Sequence, residues 1–101
     1  MLSVNFVEKA GYAAYCTLKD GAREFFGGVR ENGVFFCEKQ APYRELMLRA
    51  LVNRVMRSGP EMLYAQDEWG VELARFGFKK QGGQYACERK NLKLPHDCEK
   101  V

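Results

Sequence analysis

The sequence predicts an α+β fold, in which one mixed β-sheet begins with antiparallel strands and ends with a parallel βαβ unit, a short helix and a final strand. The first forty residues alternate apolar and polar positions and contain two dipeptides typical of tight hairpins, which indicates antiparallel strands. Residues 42–58 have a helical period instead, and they stand between two short apolar runs. Because a strand, a helix and a strand in that order form a right-handed crossover, the two runs are expected to pair in parallel.

The N-terminal strands are bounded by their turns. A first strand covers residues 3–6, and a second covers residues 12–18 and ends at Asp20-Gly21. The dipeptide Asn32-Gly33 predicts another hairpin, because its residues accept the positive φ angles of two-residue turns. The wholly apolar run of residues 34–37 follows, and such a run is typical of a central strand that is covered on both faces.

Phenylalanine pairs and cysteines supply candidate core residues. The pairs Phe25-Phe26 and Phe35-Phe36 are expected to pack in the sheet core on opposite faces, because neighbouring residues of a strand point to opposite sides. Three cysteines lie in apolar stretches, where a free thiol behaves as a small buried hydrophobe: Cys16, Cys37 and Cys87. The cysteines form no Cys-x-x-Cys pair, and the tail His96-Asp97-Cys98 offers two metal ligands where a tetrahedral site needs others from elsewhere, so a solvated tail and no metal site are predicted. No secretory context supports disulfides.

The main predicted helix covers residues 43–58. Its apolar side chains fall on one stripe at i, i+3 and i+4 spacing: Met47, Leu48, Leu51, Val52 and Val55. Pro42 suits the start of this helix, and Gly59-Pro60 ends it. The flanking strands 34–38 and 61–65 complete the predicted βαβ unit.

A second, shorter helix is predicted to follow the βαβ unit. Asp67 is placed as its N-cap, and its apolar stripe consists of Trp69, Leu73 and Phe76. A polar turn at residues 81–83 then leads to the last strand. We expect a single domain over residues 1–101, in which residues 90–101 form a charged tail.

Charge and hydropathy limit the classes of partner. The chain has 16 basic and 13 acidic residues, a formal charge of +3, and the two signs are mixed along its length. A nucleic-acid partner is therefore not expected, since such modules gather basic residues on one face. The apolar runs are far shorter than the roughly 18 residues of a membrane helix, and the N-terminus lacks the pattern of a signal peptide. These features predict a cytoplasmic protein with no membrane partner.

The segments Pro42–Leu51 and Glu72–Phe78, and the order of the elements over residues 33–89, resemble the GNAT superfamily of acetyl-CoA-dependent N-acetyltransferases. The resemblance implies a GNAT-like mixed sheet and acetyl-CoA as the co-substrate. In this family the pantetheine arm lies in a gap between the central strand and its neighbour. The pyrophosphate lies on backbone amides at the start of the main helix, where unpaired N–H groups attract anions.

The resemblance also implies the cofactor-binding residues, which are those at the end of the central strand and the start of the main helix: Cys37, Glu38, Gln40, Tyr43, Arg44 and Glu45. The glycines of the family's phosphate loop are replaced here, and Leu73 stands where the family has its general-acid tyrosine. No catalytic residue is assigned for this reason. Glu38, Tyr43 and Tyr64 are possible substitutes as acid–base groups.

Three interpretations of the function follow. The first is an N-acetyltransferase that moves the acetyl group of acetyl-CoA to a small amine or a peptide amine. The second is a catalytically inactive module of the same fold that binds acyl-CoA or a protein partner. The third is a small interaction protein whose sheet serves a homodimer, formed through exposed strand edges.

Overall fold

The computed structural model describes residues 2–38, 43–66, 69 and 73–94. The strands are β1 (Leu2–Phe6), β2 (Tyr12–Asp20), β3 (Arg23–Arg30), β4 (Phe35–Cys37), β5 (Met62–Ala65), β6 (Lys79–Gln81) and β7 (Gln84–Glu88). One α-helix, α1 (Arg44–Val55), lies between β4 and β5 in the described chain. Two 3-10 turns cover Leu73–Phe76 and Arg89–Asn91.

The predicted GNAT-like mixed sheet with a parallel βαβ unit is wrong. The described strands form two antiparallel sheets, in the orders β1-β2-β3-β4 and β5-β7-β6. Between the two sheets there is one isolated parallel bridge, from Val34 to Tyr64. Tyr64 is the third of the four residues of β5, and Val34 directly precedes β4. In this register only one residue of β5, Ala65, lies alongside the three residues of β4. A parallel ladder therefore does not form, and β5 pairs with β7 instead.

The predicted N-terminal hairpins do form, at the positions that their turn dipeptides indicate. β2 and β3 pair up to the closing pair Asp20–Arg23, and Gly21 takes a positive φ of 65° in the turn. Gly33 has a φ of 94° between β3 and β4, and the N–H of Val34 donates to the side chain of Asn32 at 3.2 Å. In each dipeptide the glycine takes the positive φ that other residues resist, while Asp20 ends β2 and the side chain of Asn32 accepts from the backbone of the turn.

Helix α1 packs its predicted apolar stripe against the first sheet. All five residues of the stripe are buried, and they form one core cluster with side chains from both sheets. The helix begins after Tyr43, which has a left-handed backbone and makes no side-chain cap. It ends at Met56, whose N–H donates to the carbonyl of Val52. The predicted start at Pro42 lies outside the described residues.

The second predicted helix has 3-10 conformation in its described part, at Trp69 and over Leu73–Phe76. Its apolar residues are buried as predicted, namely Trp69, Leu73 and Phe76. The predicted N-cap, Asp67, lies outside the described residues. Gly77 ends the turn with a φ of 103°. In the predicted tail, Leu92 is buried in the core, and residues 95–101 lie outside the described part of the chain.

Gly33 fixes how closely the two sheets approach each other. Its carbonyl accepts a hydrogen bond from the N–H of Tyr64 at 2.9 Å, and a Cβ on Gly33 would overlap the carbonyl oxygen of Met62. We expect Gly33→Ala to lower the free energy of unfolding by about 3 kcal/mol, because it adds backbone strain and pushes β5 away from β4. Urea unfolding would measure the loss.

The matched control is Gly11→Ala. Gly11 has a similar φ of 88°, but a Cβ there meets nothing within 4 Å. This variant should lose only the cost of the backbone conformation, about 1 kcal/mol. If both variants lost the same free energy of unfolding, the close contact of Gly33 with β5 would not contribute to stability.

Candidate functional site

The candidate site is the stretch beyond the Val34–Tyr64 bridge in which the described parts of β4 and β5 share no further backbone pairing, and we call this stretch the opening. The β3–β4 ladder has hydrogen-bonded pairs at 30/34 and 26/38, since the N–H of Arg30 donates to the carbonyl of Val34 at 2.9 Å and the N–H of Glu38 donates to that of Phe26 at 3.1 Å. Hydrogen bonding alternates along an antiparallel ladder, so the backbone groups of Phe35 and Cys37 point away from β3, towards the side of β5. Past the bridge, the described part of β5 pairs only with β7.

The opening lies at the carboxyl ends of β4 and β5, and α1 begins at the same end of β4. The first residues of α1 are Arg44 and Glu45, which follow the connection from Glu38. The first four N–H groups of an α-helix have no partner within the helix. The strand ends and the helix start therefore bound one region of the surface. Residues 39–42, which include the predicted Gln40, lie outside the described residues.

Two of the predicted cofactor residues make hydrogen bonds to the first sheet. The carboxylate of Glu38 accepts from the N–H of Phe26 at 2.8 Å. The hydroxyl of Tyr43 lies 3.2 Å from a carboxylate oxygen of Asp20, to which it donates. These bonds hold both side chains against β2 and β3, and Cys37 is half-buried beside the core.

Glu45 forms ion pairs in the first turn of α1. One of its carboxylate oxygens lies 3.2 Å from a guanidinium nitrogen of Arg49 and 3.8 Å from one of Arg75. A carboxylate in the first turn suits the helix dipole. The two guanidinium groups balance the negative charge of Glu45, which reduces its repulsion of an anion at the start of the helix. Arg44 is half-buried at the first position of the helix.

The candidate acid–base groups lie on different sides of the opening. Glu38 and Tyr43 make the strand contacts described above, and Leu73 is buried and has no proton to donate. Tyr64 is half-buried on β5, at the bridge that closes one end of the opening. Among the three substitutes, Tyr64 is thus the one on the β5 side of the opening.

The cysteine thiols in the core are poor nucleophiles. Burial raises the pKa of Cys16 from 9.0 to about 11, and Cys16 is fully enclosed. Burial, followed by the charge of Glu88, also raises the pKa of Cys87, whose thiol donates to the carbonyl of Glu88 at 3.2 Å. The predicted core role of these two residues is confirmed. In the described ranges, no group of three or more His, Cys, Asp or Glu side chains is placed to hold a metal ion.

Two depressions lie away from the opening. One, with a volume of about 740 Å³, is formed on the second sheet and includes Met62, Lys79 and Glu88. Another, of about 520 Å³, lies at the connection between β1 and β2 and includes Lys9 and Arg54. Neither includes a predicted cofactor residue, so the candidate site lies outside both depressions.

The first sheet has an aromatic surface that was not predicted from the sequence. Both residues of Phe25-Phe26 and of Phe35-Phe36 were expected in the core. In the structure, Phe26 is 39% exposed and Phe36 is half-buried on the face opposite α1. The signal was available in the alternation along β2, where Cys16 and Leu18 face the core and Tyr15 therefore faces outward.

Comparison of the chain with models of protein families, with curated proteins and with solved structures finds no match. No helix in the described part of the chain is long and apolar enough to span a membrane.

The raised pKa of Cys16 predicts a loss of stability at alkaline pH. Its thiol stays protonated in the folded state, while in the unfolded chain it ionises near its ordinary pKa of 9.0. The contribution of the protonated Cys16 thiol to stability is fully present below pH 9 and is lost as the pH rises to about 11. The free energy of unfolding should therefore drop by roughly 2 kcal/mol between pH 8 and pH 10.5. Urea unfolding at the two pH values measures this change.

The control for this experiment is Cys16→Ala. The variant loses packing at every pH, but it should lose the part of the pH dependence that Cys16 supplies. Tyr15 also has a raised pKa, caused first by burial, and its contribution remains in both proteins. An identical pH dependence of the wild type and Cys16→Ala would contradict the prediction.

Proposed function

We propose that this chain binds acetyl-CoA, with the pantetheine arm in the opening between β4 and β5 and the pyrophosphate at the start of α1. One observation carries the proposal: in the described residues, β4 and β5 are joined by the Val34–Tyr64 bridge and by no further backbone pairing towards their carboxyl ends. In the GNAT superfamily, which the sequence resembles, the pantetheine arm lies between the central strand and its neighbour.

The chemistry of the pantetheine arm suits a strand edge. The arm is an extended chain with two amide groups, and an extended amide chain binds an exposed strand edge through main-chain hydrogen bonds. The carbonyl of Phe35 points to the side of the opening, by the alternation of the β3–β4 ladder. The side chain of Phe35 is turned into the core, so the arm would meet backbone at this position.

The pyrophosphate end of the ligand has a separate support. The N–H groups of the first turn and the positive end of the helix dipole favour an anion at the start of α1. Arg44 adds a positive charge at the first helical position, and the charge of Glu45 is balanced by Arg49 and Arg75. A long ligand that spans both the opening and the helix start would use the two supports together.

Acetyl transfer to an amine is the second candidate function, and the position of Tyr64 favours it. In this reaction the amine nitrogen attacks the thioester carbonyl, the carbon–sulfur bond breaks, and the departing thiolate takes a proton. A phenol on the β5 side of the opening is a suitable proton donor for that thiolate. Loss of acetyl transfer in Tyr64→Phe, with acetyl-CoA binding retained, would support this role.

Calorimetric titration tests the binding proposal. We expect acetyl-CoA to bind with a dissociation constant in the micromolar range, more tightly than CoA, while ADP binds weakly through its phosphates. Arg44→Ala should weaken acetyl-CoA and ADP alike by about 10-fold, because it removes one charged contact to phosphate.

The matched control is Arg57→Ala. Arg57 is exposed just beyond the other end of the same helix, so the same loss of charge should change the affinity by less than about twofold. Absence of binding at millimolar acetyl-CoA would overturn the proposal, as would an equal effect of the two substitutions.

A further inference from the structure

The outward face of the first sheet carries four aromatic rings in mutual contact, which we call the aromatic face: Tyr12, Tyr15, Phe26 and Phe36. Ring centroids are 5.2 Å apart for Tyr12–Tyr15, 5.6 Å for Tyr12–Phe36, 6.0 Å for Tyr15–Phe26 and 6.3 Å for Phe26–Phe36. The four rings thus form a closed cluster. A Cβ on Gly28 would lie 3.1 Å from the ring of Phe36, so this glycine lies under the cluster.

The described elements leave the aromatic face uncovered. Helix α1 packs on the opposite face, where Cys16, Leu18 and Val29 are fully buried. Phe26 remains 39% exposed, and the other three rings are only half-buried even though they shield one another. A contiguous aromatic patch of this kind on a folded domain marks a contact surface.

Charged side chains surround the aromatic face. The guanidinium of Arg30 lies 4.9 Å from the ring centroid of Phe36 and 5.4 Å from that of Tyr12, and the ammonium of Lys9 lies 5.2 Å from that of Tyr15. Lys19 and Glu24 are cross-strand partners on the outward face, and Glu38 hydrogen-bonds to the backbone of Phe26. Aromatic residues and arginine at the centre, with lysine and glutamate at the rim, are the composition of a protein–protein interface.

We infer that the aromatic face binds the aromatic face of a second copy of this chain, in a two-fold symmetric dimer. The balance of charge at the rim favours this occupant, because a two-fold axis lets the lysines of one copy face the glutamates of the other. A nucleic-acid strand, the other partner that stacks on aromatic rings, would meet the carboxylates of Glu24 and Glu38 at the same rim.

The size of the sheet's outward face agrees with a small, weak dimer interface. The four strands have five, nine, eight and three residues, which is 25 in all. Each residue covers about 3.3 Å along its strand and about 4.8 Å across it, so the projected area is on the order of 400 Å². This is about half of the roughly 800 Å² that each partner of a standard interface buries, and it is in the range of weak, reversible contacts.

Sedimentation equilibrium of the wild type, Phe26→Glu and Met62→Glu tests the inference. Phe26 and Met62 are matched probes, since they are 39% and 38% exposed and lie on different sheets. We expect the wild type to have twice the chain's mass of 11.6 kDa at tens of micromolar. Phe26→Glu should raise the dissociation constant by at least about 100-fold, because two-fold symmetry places each substitution in the interface twice. Met62→Glu should remain dimeric.

A second substitution separates this dimer from its alternatives. Phe26→Lys should dissociate the dimer as Phe26→Glu does, because either charge removes apolar contact, and far-ultraviolet circular dichroism verifies that both variants are folded.

A wild type that is monomeric at 200 micromolar would overturn the inference. So would a dimer that survives both Phe26 substitutions, which would indicate pairing through strand edges. Tight binding of the monomer to a single-stranded oligonucleotide, strengthened by Phe26→Lys and weakened by Phe26→Glu, would assign the face to nucleic acid instead.

Discussion

One hydrophobic core holds together two sheets that, in the described residues, are joined by one parallel bridge. The ring of Phe35 on β4 meets Phe78 edge-on at 5.6 Å and Trp69 at 6.4 Å, so side chains from both sides of the bridge pack on one aromatic centre. The stripe of α1 belongs to the same core cluster. Buried apolar area therefore joins the sheets where the described strands form no continuous ladder. The candidate site lies along this stretch.

The local elements were predictable because their signals are local. Asp20-Gly21 and Asn32-Gly33 fixed the hairpins, and the spacing of five apolar residues identified the buried stripe of α1. The pairing of β5 was not predictable in the same way. The runs of residues 34–37 and 62–65 are both almost wholly apolar, so neither has an alternation that specifies its register or its partner. The crossover rule assumes that both strands belong to one ladder, whereas a one-bridge register and the competing partner β7 decided the outcome.

The site was less accessible to sequence reasoning because its contacts join distant parts of the chain. The contact of Tyr43 with Asp20 spans 23 residues, and that of Glu38 with Phe26 spans 12 residues. No pattern of neighbouring letters reports either bond. The aromatic face could have been found, since strand alternation separates Phe35 from Phe36 and Phe25 from Phe26. The two phenylalanine pairs were expected wholly in the core, whereas in the described structure α1 covers one face of the first sheet.

Strand β4 has three residues and serves three different surfaces. Phe35 points into the core that joins the sheets, Phe36 points outward into the aromatic face, and the backbone edge at Phe35 and Cys37 faces the opening. A change in the position of β4 must therefore alter all three surfaces together, since a close-packed core does not deform continuously. A partner that holds Phe36 in place would reduce the freedom of the same backbone that borders the opening. Any effect of dimer formation on ligand affinity would then be matched by an equal effect of the ligand on the dimer, as thermodynamic linkage requires.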